Sequence, residues 1–185
     1  MRLFHPWPPL FDARSKILIL GTFPSPKSRQ MGFPYGHPQN IFWKTLAQIL
    51  GQPLPAREAA AVKQFALANR IALWDVLRAC DIEGASDASI KNPEGNLFAP
   101  ILSQSQISAI FTTGKAATNL FNKLCAAEAG MTAIYLPSTS PANRAAQVKD
   151  SFMAQWRLVA KALEDEGVMP STAPTEGTTP SYLNG

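Results

Sequence analysis

The run KILILGT, residues 16–22, decides the fold class, because it is continuously apolar instead of alternating. A strand with this pattern is buried on both faces, as in the parallel sheets of α/β proteins. Three further runs share its β-branched and aromatic character: IALWDV (71–76), ISAIFTTG (107–114) and TAIYLP (132–137). The sequence therefore predicts four buried parallel strands.

Segments with a helical pattern separate these runs, at residues 40–50, 56–69, 115–129 and 145–166. The alternation of strands and helices predicts an α/β fold, a three-layer α/β/α sandwich around a four-stranded parallel sheet. We expect one domain over residues 1–166. The remainder, 167–185, is poor in apolar residues and rich in Pro, Thr and Ser, which is typical of a disordered tail.

The composition of the 185 residues indicates a chain that folds, since 46% are apolar and 16% are charged. No apolar run is long enough to cross a bilayer, and the start, MRLFHPWPPLFD, lacks the apolar core of a secretory signal. Cys80 and Cys125 lie far apart, which argues against a zinc or iron–sulfur site and favours a reducing compartment, so we expect a cytoplasmic protein. The net charge of +4 is compatible with a nucleic-acid partner.

Three loops follow predicted strands at the sheet edge where ligands bind in such folds. They are rich in hydroxyl residues, Pro and Gly, and can hold phosphates: GTFPSPKS (21–28), TTGKAATN (112–119) and LPSTSPANR (136–144). TTGKAATN lacks the first Gly of a Walker loop and has Ala116 where that loop binds magnesium. We interpret it as a strand-to-helix turn with Lys115 exposed.

The common hydrolytic sites are poorly supported. No GxSxG motif surrounds Ser25, Ser138 or Ser140. None of the three loops carries an acid, which argues against a pair of catalytic carboxylates. We therefore expect an acid-poor face, rich in hydroxyl and aromatic side chains, that suits an anionic polymer better than acid–base hydrolysis.

A further stretch, GFPYGHPQNIFW (32–43), places aromatics, a His-Pro and an Asn in a loop kinked by Gly and Pro, just before a helix. It is too polar for a strand and too aromatic for an ordinary solvent loop. Asn40 stands at the helix start, a position that Asn favours as an N-cap. Phe42 and Trp43 fall on the helix, where a place in the core is expected.

In chain order, GTFPSPKS, GFPYGHPQNIFW, LWDVL (73–77) and LPSTSPANR resemble the motifs of the uracil-DNA glycosylase superfamily. The closest resemblance is to its hypoxanthine-DNA (deoxyinosine) glycosylases, which are related to the mismatch-specific uracil/thymine branch. It extends from about Leu3 to Leu163. The resemblance implies a base excision repair enzyme that flips a deaminated base, hypoxanthine first, out of DNA and hydrolyses its N-glycosidic bond. It implies no metal and no cofactor, and we expect a monomer.

The resemblance also implies which residue directs the water. The uracil-acting branches have Asp or Asn two residues after the leading Gly of the first motif, where this chain has Phe23. In deoxyinosine glycosylases with the same departure, the Asn of GHPQN is thought to take over, and that residue is Asn40 here. An amide can accept a hydrogen bond from water and so orient it, which suffices if the transition state is mostly an oxocarbenium ion. A plain N-cap is the alternative for Asn40.

Further roles follow from the same resemblance. The base would lie between Tyr35 and Phe23, and His37 would donate to the departing base or a phosphate, or else bond its own backbone. The predicted base-binding residues are Phe23, Tyr35, His37 and Ser138. The predicted DNA-binding residues are Ser25, Lys27, Ser140, Asn143 and Arg144, with Arg144 filling the gap in the duplex. Asp75 is expected to be structural, and Asn92 can read a base edge.

No lysine matches a Schiff-base nucleophile, so we expect a monofunctional enzyme without a lyase step. Two alternatives stay open. One is a mismatch-directed uracil or xanthine glycosylase. The other is a non-catalytic DNA-binding module that has kept the fold and lost the water-positioning residue.

Overall fold

The computed structural model describes residues 1–165, so the tail predicted for residues 167–185 lies outside the described part of the chain. The strands are β1 (Arg2–Phe4), β2 (Ile17–Gly21), β3 (Ile71–Asp75), β4 (Leu77–Asp81), β5 (Lys91–Gly95), β6 (Ala109–Thr113) and β7 (Ala133–Leu136). The helices are α1 (Pro26–Met31), α2 (Phe42–Leu50), α3 (Ala59–Ala68), α4 (Ala99–Ser103), α5 (Lys115–Leu124), α6 (Ala126–Ala129), α7 (Arg144–Gln147) and α8 (Asp150–Glu164).

The four predicted strands form one sheet in the order β3-β2-β6-β7, and every pair is parallel. The predicted four-stranded parallel sheet is therefore confirmed. Gly21 lies opposite Asp75, and Leu20 lies opposite Thr112. Because the chain order reverses between β2 and β6, the loops that leave their carboxyl ends diverge and open a crevice at that edge.

Two cores cover the two faces of this sheet, which gives the predicted three layers. Ile17 and Ile19 of β2 pack with Trp156 of α8 on one face. Leu18 and Leu20 pack with Phe121 of α5 on the other face. Successive side chains of a strand point to opposite faces, so a strand buried on both sides must be apolar throughout. That requirement is the physical origin of the KILILG pattern.

A second sheet was not predicted. Strands β1, β4 and β5 pair antiparallel in the order β1-β4-β5, with Leu3 opposite Cys80. The sequence of β5, KNPEG, contains Asn, Pro and Gly, which are depleted in strands, and so it gives no strand signal. This small sheet brings His5 and the segment 83–90 to the carboxyl edge of the large sheet.

The predicted helices differ from the observed ones mainly at their ends. The predicted helix 40–50 begins at Phe42, and the predicted helix 115–129 is divided between α5 and α6. The predicted helix 145–166 is interrupted at Lys149, which is extended (φ −84°, ψ 144°), and α8 begins at Asp150. An acid in the first turn of a helix favours such a start. No helix within residues 1–165 is long and apolar enough to span a membrane.

Trp156 ties helix α8 to the loop after β7. Its side chain is fully buried, and its Nε1 donates a hydrogen bond to the Pro137 carbonyl oxygen at 3.0 Å. We expect Trp156→Phe to lower the free energy of unfolding by about 1–3 kcal/mol, because a buried carbonyl loses its donor and a small void forms. Urea denaturation would measure the change.

Leu158→Ala, on the exposed side of the same helix, is the matched control and should change stability by about 0.5 kcal/mol or less. A Trp156→Phe variant as stable as this control would contradict the anchoring role of the Trp156 hydrogen bond.

Candidate active site

A pocket of about 290 Å³ lies at the carboxyl ends of β2, β3 and β6. The loop after β2, the loop before α2 and the loop after β7 all contribute to its wall. The pocket lining includes seven of the predicted site residues: Phe23, Ser25, Tyr35, His37, Asn40, Ser138 and Ser140. The fold thus brings together side chains from motifs more than a hundred positions apart in sequence, as the parallel topology requires.

Tyr35 forms an aromatic wall of this pocket. Its ring stacks on Phe42 with centroids 3.8 Å apart and planes 4° apart, so Phe42 covers one ring face. Its hydroxyl shares a hydrogen bond with Thr113 Oγ1 at 3.3 Å. Burial, reinforced by the negative charge of Asp75, raises the pKa of the Tyr35 phenol far above its usual value. The ring therefore remains neutral, and it contributes to the pocket lining.

Asn40 lies half-buried on the pocket wall, where it accepts a hydrogen bond. Its side-chain Oδ1 accepts from the Phe42 backbone N–H at 2.9 Å. The backbone N–H of Asn40 donates to the His37 carbonyl oxygen at 2.9 Å. The plain N-cap alternative is wrong, because the N-cap of α2 is Ile41 and the Asn40 bond instead closes a local turn just before the helix. This bond is compatible with a second role, because an amide oxygen has two lone pairs and the bond uses one. The role of Asn40 in positioning water stays a prediction.

His37 also bonds its own backbone, as one alternative predicted. The Gln39 N–H donates to His37 Nδ1 at 3.0 Å, so the proton of a neutral His37 ring is on Nε2. Nε2 can therefore act as a donor in the pocket. The local backbone bond at Nδ1 and a donor role at Nε2 are compatible.

Side-chain hydrogen bonds hold the loop that carries Tyr35 and His37. Ser28 Oγ accepts from the Gly36 N–H at 3.1 Å, and Trp43 Nε1 donates to the Pro34 carbonyl oxygen at 3.0 Å. Arg57 Nη2 donates to the carbonyl oxygen of Gly36 at 3.0 Å. Phe42 and Trp43 belong to the core, as predicted.

The loop after β7 is organised by its own polar side chains. Ser138 Oγ accepts from the Ser140 N–H at 3.2 Å, and Ser140 Oγ accepts from the Ala142 N–H at 3.3 Å. Asn143 Nδ2 donates to the Ser138 carbonyl oxygen at 3.0 Å. The amide of Asn143 therefore fastens this loop, and Asn143 does not line the pocket.

Lys27 and Arg144 also lie outside the pocket lining, as exposed residues of α1 and α7. Their contacts with DNA stay predictions. Asn92 is held at the edge of the small sheet, where its Nδ2 donates to Asp81 Oδ2 at 2.8 Å, and it does not line the pocket. The expectation that Asn92 reads a base edge therefore has no support from its position.

The expectation of an acid-poor face is wrong, because Asp75 and Asp87 both line the pocket. Asp75 ends β3 opposite Gly21, and Asp87 arrives from the segment between β4 and β5. An acid at the end of the apolar run IALWDV was a signal that could have revealed Asp75, since ligands bind at strand carboxyl ends. No local signal identified Asp87, because its placement depends on the unpredicted second sheet.

Asp75 is paired with His5. Its side chain is 11% exposed, and that of His5 is 4% exposed. His5 Nε2 and Asp75 Oδ2 are 2.7 Å apart. The rings of Trp7, Phe23 and Trp74 meet His5 edge-on, with centroids between 5.8 and 6.0 Å away. This aromatic surround fixes the imidazole and shields its hydrogen bond with the carboxylate from solvent.

Asp87 accepts a hydrogen bond from Thr22 Oγ1 at 3.1 Å. Burial of its carboxyl raises the pKa of Asp87, and the negative charge of Asp75 adds to the shift, while the Thr22 hydrogen bond opposes it. The pocket thus holds two acids: Asp75, which is bonded to His5, and Asp87, whose pKa is raised by burial. Within residues 1–165, no group of three or more His, Cys, Asp or Glu is placed to hold a metal ion.

Comparison with known proteins identifies the family. The family model described as the uracil DNA glycosylase superfamily matches residues 8–164. The chain belongs to the uracil DNA glycosylase superfamily. The resemblance inferred from the four motifs is therefore confirmed, and the superfamily accounts for the observed fold.

Individual members of the superfamily give closer comparisons. Hypoxanthine DNA glycosylases of Methanosarcina barkeri and Methanosarcina acetivorans are 39% and 36% identical to this chain over 92 residues. These matches cover 50% of this chain and 58% of each relative. The solution structure of a candidate uracil DNA glycosylase from Methanosarcina acetivorans superimposes with a TM-score of 0.74 at 30% identity, covering 89% of this chain and 100% of that one.

Gly21 leaves the space in which Asp75 lies. A Cβ atom at position 21 would be 2.6 Å from Asp75 Oδ1 and 3.2 Å from the Tyr35 hydroxyl oxygen. We expect Gly21→Ala to cost about 1–3 kcal/mol of stability, measured by urea denaturation, because the carboxylate must move away from its bond with His5.

An Asp75→Ala background provides the control for this experiment. It removes the clashing oxygen, so the cost of Gly21→Ala should be clearly smaller there than in the wild type. Equal costs in both backgrounds would show that the clash with Asp75 does not account for the loss.

Asp87→Asn tests the electrostatics of the pocket, because Asn keeps an acceptor for Thr22 and cannot ionise. The pKa of Asp87 is raised in the folded state, so the fold is more stable with this acid protonated than with it ionised. The wild type therefore loses stability as the pH rises through the folded-state pKa and Asp87 ionises. We expect the variant to be more stable than the wild type at neutral pH. The difference should vanish below the ordinary pKa of 3.8. Urea denaturation across this range would measure it, and a difference independent of pH would contradict the raised pKa.

Proposed function

We propose that this protein is a monofunctional DNA glycosylase that flips a deaminated base out of DNA, hypoxanthine first, and hydrolyses its N-glycosidic bond. The observation that carries the proposal is the convergence in one pocket of the aromatic wall of Tyr35, the amide of Asn40 and the hydroxyl-rich loop 138–142. Membership of the superfamily supports the reaction class. The names of the two Methanosarcina relatives support hypoxanthine as the base.

In this proposal the face of the Tyr35 ring opposite Phe42 stacks on the extruded base. Phe42 supports the opposite face, so the ring is held flat against the core. Aromatic stacking is tolerant of base identity, since every base has a π-face. Phe23, which is 9% exposed, supplies a second apolar surface in the same pocket. In our proposal these two rings bind the base, and the polar groups of the pocket select it.

Asn40 directs the attacking water in this proposal. The hydrogen bond from the Phe42 N–H fixes the orientation of its amide, so Oδ1 is held in one place on the pocket wall. Departure of the base leaves positive charge on the sugar, and the phosphates of the substrate itself stabilise that charge. Water then needs orientation more than deprotonation, and a fixed amide oxygen provides it. His37 Nε2–H donates to the departing base or to a phosphate.

The serines of the pocket hold the DNA backbone. Ser138 and Ser140 each accept a backbone N–H within their own loop, which leaves the hydroxyl proton of each free to donate to a phosphate oxygen. Ser25 differs, because its hydroxyl donates to Ser28 Oγ at 3.0 Å and also caps α1. We assign the direct phosphate contacts to Ser138 and Ser140, with Lys27 and Arg144 adding long-range attraction.

The decisive experiment measures base release from duplexes that carry one hypoxanthine, uracil or xanthine, followed by alkaline cleavage of the abasic site. We expect release of hypoxanthine by the wild type and a roughly hundredfold loss in Asn40→Ala, because the water is no longer positioned. DNA binding without release of any of these bases would contradict the enzyme and favour a binding module.

Two further variants separate catalysis from the local hydrogen bond that Asn40 accepts from the Phe42 N–H. Asn40→Ser keeps an oxygen for this bond and is too short to reach the water, so it should retain stability and lose activity. Asn40→Asp keeps both this bond and a second acceptor, so it should retain part of the activity. Full activity in Asn40→Ser would limit Asn40 to the structural role.

A further inference from the structure

The carboxylate of Asp75 has one oxygen engaged and one open. Oδ2 is bonded to His5, whereas no donor among residues 1–165 bonds Oδ1. The surroundings of Oδ1 are Gly21 and the hydroxyl end of Tyr35, both of which line the pocket. The side chain is only 11% exposed, so a ligand that fills the pocket and displaces water leaves Oδ1 as a costly unsatisfied acceptor unless it supplies a donor. The open oxygen therefore requires a donor from whatever occupies the pocket.

His5 keeps Asp75 Oδ2 bonded and Oδ1 open whether its imidazole is neutral or protonated. In a neutral imidazole, Nδ1 accepts from the Trp7 N–H at 3.1 Å, which places the ring proton on Nε2. In the protonated imidazole, Nδ1 donates to the Trp7 carbonyl oxygen, 2.9 Å away. Nε2 donates to Asp75 in both states, so Oδ2 is occupied and Oδ1 is the oxygen left for a ligand.

The low exposure of Asp75, which is 8% exposed in the pocket lining, indicates which part of a flipped nucleotide it meets. The sugar stays tethered to the DNA backbone at the mouth of the pocket, so the edge of the base opposite the glycosidic bond penetrates furthest. A purine joined through N9 presents its N1 edge there. Hypoxanthine carries a hydrogen on N1, while adenine has a lone pair at the same position.

We propose that Asp75, positioned by His5, recognises the lactam N–H of a deaminated base, which is N1–H in hypoxanthine, and rejects adenine. The inference rests on the proposed glycosylase function and adds the group that distinguishes the damaged base from its parent. The N1 lone pair of adenine would face a carboxylate oxygen that offers no proton, and a buried site built for a donor strongly disfavours a ligand without one. Guanine also carries N1–H, so Asp75 separates hypoxanthine from adenine and not from guanine.

Asp75→Asn is the direct test. Its Oδ1 can accept from His5, which turns the NH₂ group toward the pocket and replaces an acceptor with a donor. Binding is measured with duplexes that carry 2′-fluoro-deoxyinosine or 2′-fluoro-deoxyadenosine, which resist hydrolysis, each opposite an abasic-site analogue so that neither base is paired. We expect the wild type to prefer the inosine duplex and Asp75→Asn to reduce this preference by about tenfold or more. Release of hypoxanthine in single-turnover assays should fall by a similar factor.

Matched variants separate base reading from structure. Asp150→Asn removes an exposed acid at the start of α8 and should retain the full preference. His5→Phe preserves an aromatic ring among Trp7, Phe23 and Trp74 but leaves Oδ2 without its donor, so the preference for inosine should decrease. His5→Gln retains a donor and should restore part of it. Circular dichroism and urea denaturation verify that each variant is folded.

The outcomes are distinct. Equal weakening of both duplexes in Asp75→Asn, or no change, would overturn the assignment and make Asp75 structural. A wild type that binds the two duplexes equally would overturn it as well. A wild type that prefers the inosine duplex but releases no base would refute the proposed function, while the effect of Asp75→Asn on binding would still decide the base-reading role.

Discussion

The parallel register of β2 with β3 and β6 is the constraint on which the candidate site depends. It sets Gly21 opposite Asp75 and Leu20 opposite Thr112, so that three strand ends meet at one edge of the sheet. A slip of one residue in either pair would turn the aligned side chains to opposite faces. The apolar runs prevent such a slip, because both faces of the sheet are buried. Packing of the apolar strands, away from the pocket, therefore fixes the position of Asp75.

In the loop before α2, stabilising contacts offset backbone strain. Tyr35 has a φ of 56°, a left-handed conformation that costs a bulky residue about 1 kcal/mol or more. The stack on Phe42 and the hydrogen bonds from Trp43 to Pro34 and from Arg57 to Gly36 compensate for this strain. The donors of these bonds lie outside the pocket. The loop is therefore held rigid while the polar groups of the pocket remain available, which is what preorganisation of a site requires.

The sequence allowed much of this architecture to be predicted, and the failures share one physical cause. Buried parallel strands carry a local signature that predicts the large sheet, and the family resemblance of the motifs suggested the site residues, seven of which line the pocket. Asp75 ends a predicted strand, and what was missed is its pairing with His5 and the placement of Asp87, both of which are non-local. His5 contacts Asp75 across 70 positions, through the pairing of β1 with β4. Strand β5 contains Pro and Gly instead of residues that favour strands, so neither the small sheet nor the position of Asp87 could be predicted from the sequence.

Electrostatics connect the unusual Phe23 to the acid on the neighbouring strand. Asp75 and Asp87 already place two carboxyls in the pocket, and the charge of Asp75 contributes to the raised pKa of Asp87. A third carboxylate at position 23 would add repulsion and favour protonation of one member. Phe23 instead packs edge-on against His5, with centroids 5.9 Å apart, and keeps the His5–Asp75 hydrogen bond in an apolar surround where it is stronger. The apolar residue in the first motif is thus physically consistent with a pocket whose acids come from β3 and from the segment between β4 and β5, and whose amide comes from Asn40.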